Sequence, residues 1–135
     1  MSSNDAKNVV LKFFETMNDG HFEEAADFFS EDAVFWVVGS LPFSGTLNGR
    51  DEILEKNFRP SAVFTAPGSA KVIMGDVIAE GSKVAAEWRF QRKTLDGESY
   101  DNYFFGLFEV RDGLIQSFRE YLDTEYARKM LWNKD

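Results

Sequence analysis

Residues 100–122, YDNYFFGLFEVRDGLIQSFREYL, contain two runs of aromatic and β-branched residues on either side of an Asp-Gly pair. Such runs favour β-strands, and an Asp-Gly pair between them is a strong signal for a tight hairpin. Side chains alternate between the two faces of a strand, so Phe118, Glu120 and Leu122 share one face. The sequence therefore predicts a hairpin that carries a carboxylate on its most apolar face.

Two more strands precede this hairpin. Residues 71–80 (KVIMGDVIAE) and 83–93 (KVAAEWRFQRK) have strand-like composition, and the short segments GS and TLDGES connect them to each other and to the hairpin. Four consecutive strands with such short connections predict an antiparallel meander.

Helical patterns lie on both sides of the meander. Apolar residues recur every three or four positions in residues 5–18 and in the shorter segment 21–29, which predicts two amphipathic helices. Composition and turn signals then predict a strand at 33–38, a loop at 39–49, a helix at 50–58, an irregular crossing at 59–70 and a final helix at 124–132, capped by Asp123 or Thr124. This order predicts an α+β fold with helices on one side of a curled antiparallel sheet.

The composition excludes several classes of function. The 135 residues include 15 basic and 23 acidic ones, and a net charge of −8 without a basic stripe argues against nucleic-acid binding. There is no cysteine and a single histidine, His21, which argues against a thiol nucleophile and a zinc site. No apolar run approaches membrane-span length and the start has no signal core. We expect one domain over residues 1–135 in a soluble, cytoplasmic protein with no membrane or metal partner.

Three stretches, FFETMNDGHFEEAADFFSEDAVF, PFSGTLNGRDEI and YDNYFFGLFEVRDGLIQSFREYLD, resemble the SnoaL-like and ketosteroid-isomerase-like proteins of the nuclear transport factor two-like superfamily. The resemblance implies a cone-shaped barrel, in which a strongly bent sheet wraps around the N-terminal helices and leaves an apolar pocket at the wide end. It also implies a homodimer formed through the sheet face. Members include isomerases, polyketide cyclases, dehydratases, epoxide hydrolases and non-catalytic binding proteins, so the fold alone does not name a reaction.

Two well-known catalytic sets of this superfamily are incomplete here. At the three positions where the steroid isomerases carry catalytic polar residues, this chain has Phe13, Trp36 or Val37, and Gly106, and all three lack the required group. The limonene epoxide hydrolases use an Arg-x-Asp pair and a second Asp. Lys83 and Ala85 stand at the positions of the pair, and Glu120 stands at the position of the second Asp. The resemblance therefore predicts neither reaction.

Glu120 is the candidate catalytic residue. Some phenazine-pathway and polyketide-cyclase relatives carry an acid at this position, and the resemblance points this face of the strand into the pocket. Burial between Phe118 and Leu122 would raise the pKa of the Glu120 carboxyl, which suits a general acid or base. The alternative is a structural role, in which Glu120 pairs with Arg89 or caps a helix.

The two faces of strand 83–93 give conflicting interpretations. Alternation puts Trp88 in the core and Glu87 and Arg89 in water. The resemblance puts Glu87 and Arg89 in the pocket and Trp88 against a partner subunit. Following the resemblance, we expect Glu87 and Arg89 to contact substrate, where Arg89 could bind an anionic group or keep a glutamate ionised.

Five more residues are candidates for contact with a substrate. Trp36 could stack on a flat molecule, although a core Trp is the commoner case. Asn102 could orient a carbonyl or hydroxyl. Three rings would form the apolar wall: Phe13, Phe104 and Phe118. The run that contains Asn102 and Phe104 is apolar on both faces, which indicates that a second subunit covers the face that the helices leave open.

These features favour a cofactor-independent isomerase, cyclase or dehydratase that acts on a small, flat, apolar or aromatic molecule through Glu120. The alternative is a small-ligand-binding protein without turnover, which the incomplete catalytic sets favour. A protein-interaction domain ranks third.

Overall fold

The computed structural model describes residues 2–132. Helix α1, Ser3–Asn18, begins with a capping box, in which the Ser2 hydroxyl and the Asp5 carboxylate each accept from the other residue's backbone N–H. Helix α2, Phe22–Ala25, continues as a 3₁₀ turn over Ala26–Phe28. Both helices were predicted, but the second ends earlier than expected.

Six strands form one mixed sheet in the order β2-β1-β6-β5-β4-β3. Their bounds are β1 Phe29–Val37, β2 Gly45–Asn48, β3 Lys71–Glu80, β4 Lys83–Lys93, β5 Ser99–Arg111 and β6 Leu114–Leu122. Strands β3 to β6 form the predicted antiparallel meander, whereas β1 runs parallel to β6. The β5–β6 turn places Asp112 and Gly113 at φ 54° and 80°, the left-handed conformations that a tight hairpin of this type requires.

The N-terminal half of the sheet differs from the prediction in two places. Strand β1 begins at Phe29 rather than at residue 33, because the Phe29 ring is fully buried and lies against Phe13 and Phe58. Strand β2 lies inside the segment predicted as a loop, where it pairs antiparallel with β1.

The third helical segment is longer than predicted. It runs through α3, Arg50–Ile53, a π-helical turn, Leu54–Phe58, and α4, Arg59–Val63, into the region predicted as irregular. Pro60 lies in the first turn of α4, where a missing N–H is tolerated. Helix α5, Thr124–Leu131, begins at Asp123, whose carboxylate accepts from the Tyr126 N–H at 3.0 Å, as the predicted cap requires.

Helix α1 packs on the inner face of the meander. Its Phe13 ring is the centre of an aromatic cluster and contacts six further rings: Phe14, Phe28, Phe29, Phe58, Phe108 and Phe118. The predicted α+β cone is confirmed, with the inner face of the sheet curled around the N-terminal helices.

Candidate functional site

A cavity of about 60 Å³ lies between α1, the π-helical turn and the inner face of β4 to β6. Most of its wall is aromatic or aliphatic, and five polar residues interrupt it: Asn57, Ser61, Arg92, Tyr100 and Glu120. A few polar groups in an apolar hollow are typical of small-molecule sites.

Glu120 reaches this cavity because of the register of β6. It lies opposite Gly106 of β5 and beside Val37 of β1, on the same face as Phe118 and Leu122. Removal from water raises the pKa of the Glu120 carboxyl to about 8, and the positive charge of Arg92 opposes this effect only in part. Within residues 2–132 the carboxyl has no hydrogen-bond partner. A raised pKa is what the predicted general acid or base needs, and the catalytic role of Glu120 stays a prediction.

Arg92 is a buried cation on the wall of the same cavity. Its Nη1 donates to the Ser61 carbonyl at 3.1 Å and to the hydroxyls of Ser61 and Thr65 at 2.9 Å each. Burial lowers the pKa of the guanidinium from its usual value, but arginine remains charged in proteins. Arg92 thus places a positive charge at the cavity that contains Glu120.

Tyr100 adds a hydroxyl to this wall, and burial raises the pKa of its phenol. Its Oη accepts a hydrogen bond of 2.9 Å from Asn102 Nδ2, which also donates to the Asp123 carbonyl at 3.1 Å. Asn102 faces inward as predicted, but it is not part of the cavity wall. Its buried amide instead positions the Tyr100 hydroxyl.

Three of the predicted wall residues, Phe13, Phe104 and Phe118, do line the cavity. Their contact with a substrate remains a prediction.

The placement of Glu87 and Arg89 in the pocket is wrong. Glu87 is exposed on the outer face of β4, and Arg89 on that face forms an ion pair with Asp101 and lies over the Tyr103 ring. Trp88 points inward, where it stacks on Phe104 with ring centroids 5.4 Å apart. Alternation alone predicted this arrangement, because the bulkier and more apolar face of the strand is the one that helix α1 covers.

Trp36 also lies on the outer face. Its ring meets that of Tyr121 edge to face, with centroids 5.4 Å apart, and it does not line the cavity. The prediction that it stacks on a substrate in the pocket is therefore wrong.

Four polar residues of the wall were missed from the sequence: Asn57, Ser61, Arg92 and Tyr100. Arg92 could have been found from the sequence. Every second residue of β4 points inward, and Trp88 and Phe90 are followed in this series by Arg92. The same alternation in β5 places Tyr100 inward. Asn57 had no such signal, since it lies in a π-helical turn; its side-chain amide has no hydrogen-bond partner in the described part of the chain.

The outer face of the meander contains a second, open groove of about 480 Å³. Its margin includes three aromatic residues with exposed fractions of 66%, 47% and 40%: Tyr103, Phe105 and Tyr121. An exposed apolar surface of this kind is typical of an interaction face.

Residues 2–132 contain no group of acidic or histidine side chains arranged to hold a metal ion. No helix in that range has the length and apolar character needed to cross a membrane.

The sequence matches the family model described as a SnoaL-like domain over residues 10–118. No curated protein sequence matches the chain significantly.

Several solved structures are similar to the fold. Bal32a, from a soil-derived mobile gene cassette, is 21% identical with a TM-score of 0.80, and the match covers 96% of this chain and 98% of that chain. An LEH-like epoxide hydrolase of M. tuberculosis is 21% identical with a TM-score of 0.73, over 97% and 92% of the two chains. A protein described as a SnoaL-like polyketide cyclase, from Jannaschia sp. CCS1, is 17% identical with a TM-score of 0.74, over 96% and 92%. Identities this low establish a common fold and no common chemistry.

Proposed function

Because the chain belongs to the SnoaL-like family, we propose that it binds a small, flat, mostly apolar molecule and exchanges a proton with it through Glu120. The reaction would be an isomerisation, cyclisation or dehydration, each of which needs a proton to be moved at carbon or oxygen. The polyketide cyclase and epoxide hydrolase among the similar structures support small-molecule chemistry on this fold.

One observation carries this proposal: a carboxyl without a hydrogen-bond partner lines an apolar cavity, where burial raises its pKa to about 8. A general acid or base works best when its pKa lies near the working pH. Perturbed carboxyls in hollows are candidates for function for this reason.

The size of the cavity sets a condition on ligand entry. A dry cavity of about 150 Å³ is large enough for benzene, whereas this one has about 60 Å³. A flat ligand must therefore displace part of the wall. Phe43 is the best candidate, because it is partly exposed, lies in the segment between β1 and β2, and packs edge to face on Trp132 at 5.1 Å.

Hydrogen exchange tests the catalytic role directly. In deuterated buffer with flat ketones such as 2-indanone and 2-tetralone, the wild type should speed loss of the α-proton NMR signals above the buffer rate. The acceleration should rise as the pH passes about 8, because only the ionised Glu120 carboxylate can take the α-proton. Glu120→Gln should lose this acceleration, and Glu87→Gln, which changes an exposed carboxylate on the outer face, should keep it.

Two results would count against this role. Equal acceleration by the wild type and by Glu120→Gln would remove Glu120 from the chemistry. Ketones that quench tryptophan fluorescence but exchange no faster than in buffer would favour the alternative, a binding protein without turnover. That alternative is supported by the cavity wall, to which the described part of the chain contributes a single carboxyl.

The outer face supports a homodimer. Aromatic surface is exposed on two adjacent strands by Tyr103, Phe105 and Tyr121, and a second copy of the chain would cover it.

The dimer is tested by substitution in this surface. Phe105→Glu should convert a dimer to a monomer in sedimentation velocity, because it would bury an unpaired charge. Leu95→Glu, a control at an exposed apolar residue outside the groove, should remain dimeric. A wild type that sediments as a monomer at micromolar concentration would contradict the dimer.

A further inference from the structure

Arg92 is a buried positive charge without a negative partner. Its side chain is 6% exposed, and within residues 2–132 no carboxylate lies at salt-bridge distance from it. Buried charges in proteins are normally paired, because transfer from water is otherwise strongly unfavourable. In a chain with a net charge of −8, acidic partners are plentiful, so an unpaired arginine in the cavity is unexpected.

The hydrogen bonds of Arg92 leave one donor of the guanidinium unused. Nη1 is held by the neutral oxygens of Ser61 and Thr65, and Cζ lies 4.9 Å and 4.5 Å from the ring centroids of Phe90 and Tyr100. The guanidinium also interacts with the neutral Tyr100 hydroxyl, whereas Nε is buried without a hydrogen-bond partner. Neutral partners thus fix the side chain in place, while Nε, one arm of the fork that binds a carboxylate with two parallel hydrogen bonds, has no acceptor.

The other polar groups of the wall do not neutralise this charge. Among residues 2–132, Glu120 is the only carboxyl in the wall, and its pKa of about 8 favours the protonated form at neutral pH. Tyr100 is held in its neutral phenol form, because burial raises its pKa. Asn57 contributes an amide with no hydrogen-bond partner in the described chain. The wall therefore presents a cation and several neutral donors.

We propose that the guanidinium of Arg92, through its unpaired Nε, binds an ionised oxygen of the ligand, so that the ligand is a small aromatic or alicyclic acid. Its charged oxygen, a carboxylate or a phenolate, would lie at Arg92, and its ring would pack on Trp88, Phe90 and Phe104. This inference rests on the proposed function, because it names the class of molecule that Glu120 meets. It gives Arg92 the role of binding and orienting the ligand, and leaves proton exchange to Glu120.

Binding of matched acids and neutral isosteres tests the inference. The pairs are 2-naphthoate with 2-naphthamide, for a carboxylate, and 4-nitrophenolate with 4-nitroanisole, for a phenolate. Affinities come from isothermal titration calorimetry, so that ligand absorbance does not interfere. At neutral pH the wild type should bind at least one acid roughly tenfold or more tightly than its neutral partner, and the pair that shows the preference identifies the type of oxygen.

Variants then assign the preference to Arg92. Arg92→Met should reduce the ratio of acid to neutral affinity to about one, whereas Arg89→Met, the same change on the outer face of the same strand, should leave the ratio unchanged. Because Arg92→Met removes buried hydrogen bonds and so destabilises the fold, Arg92→Lys is the second variant. It retains the charge but lacks the fork, and should bind the acid more weakly than the wild type and still prefer it to the neutral partner.

The outcomes separate this inference from the proposed function. Equal affinity of the wild type for acids and neutral isosteres overturns the role of Arg92 and leaves a ligand-binding cavity. An acid preference that survives unchanged in a folded Arg92→Met or in Arg92→Lys also overturns it. Failure of every member of both pairs to bind overturns the inference and the proposed function together.

Discussion

Glu120→Gln is expected to be more stable than the wild type at about pH 8, and to match it at about pH 5. In the folded protein the Glu120 carboxyl has a pKa of about 8, against an ordinary value of 4.5, chiefly because it is removed from water. Glutamine resembles the protonated carboxyl in shape and cannot ionise. The variant therefore avoids the free-energy cost of placing a negative charge in the cavity.

The direction of this effect follows from proton binding. Between pH 4.5 and pH 8 the unfolded chain has lost the Glu120 proton and the folded protein retains it, so the wild type loses stability as the pH rises. The slope approaches about 1.4 kcal/mol per pH unit. Over the whole window the loss amounts to at most about 5 kcal/mol, and to less where water in the cavity hydrates the carboxylate.

Urea unfolding at fixed protein concentration, repeated at several pH values across this window, measures the difference between the two proteins. The comparison cancels other titrating groups, such as Asp101, whose pKa is lowered by its hydrogen bonds to Arg89. Glu87→Gln provides the matched control, and its stability should run parallel to that of the wild type. If Glu120→Gln also runs parallel to the wild type, the carboxyl is hydrated in the folded protein and the argument for its protonation fails.

The meander and helix α1 could be predicted because their signals are local. The strand bounds 71–80 and 83–93 follow from composition and from the turns between them, and the β5–β6 turn follows from one Asp-Gly pair. Strand β2 gave no such signal. It has four residues in a segment rich in Gly, Pro and Ser, and its strand conformation depends on pairing with β1.

The candidate site was predictable where alternation alone was followed. Alternation placed Phe118 and Glu120 on one face, and both line the cavity. It also placed Trp88 inward, but the register taken from the family resemblance reversed that face and put Glu87 and Arg89 in the pocket. Arg92 is the next residue of β4 on the same face as Trp88 and Phe90, so the same rule also predicts that it points inward. The pattern of this chain was the better guide, because it reports which face is apolar enough to be buried.

Phe118→Ala is expected to cost about 3–5 kcal/mol of stability, the usual range for truncation of a buried phenylalanine. The Phe118 ring is 1% exposed and stacks on Phe108 and Phe35, with centroids 4.0 Å and 4.6 Å away. Three strands therefore meet at this ring, β1, β5 and β6, and its removal leaves facing rings without contact.

The same substitution would change the cavity, because Phe118 is part of its wall. Truncation adds the volume of a ring to a hollow of about 60 Å³, which brings it toward the size that holds benzene. Saturating benzene should then recover part of the lost stability, since a ligand that binds only the folded state stabilises it. Phe118→Leu, which fills most of the space, should lose less stability than Phe118→Ala and should be stabilised little by benzene. Urea unfolding with and without benzene measures both effects. A loss of stability below about 1 kcal/mol in Phe118→Ala would mean that the surrounding rings move into the space and that the cavity wall is not rigid.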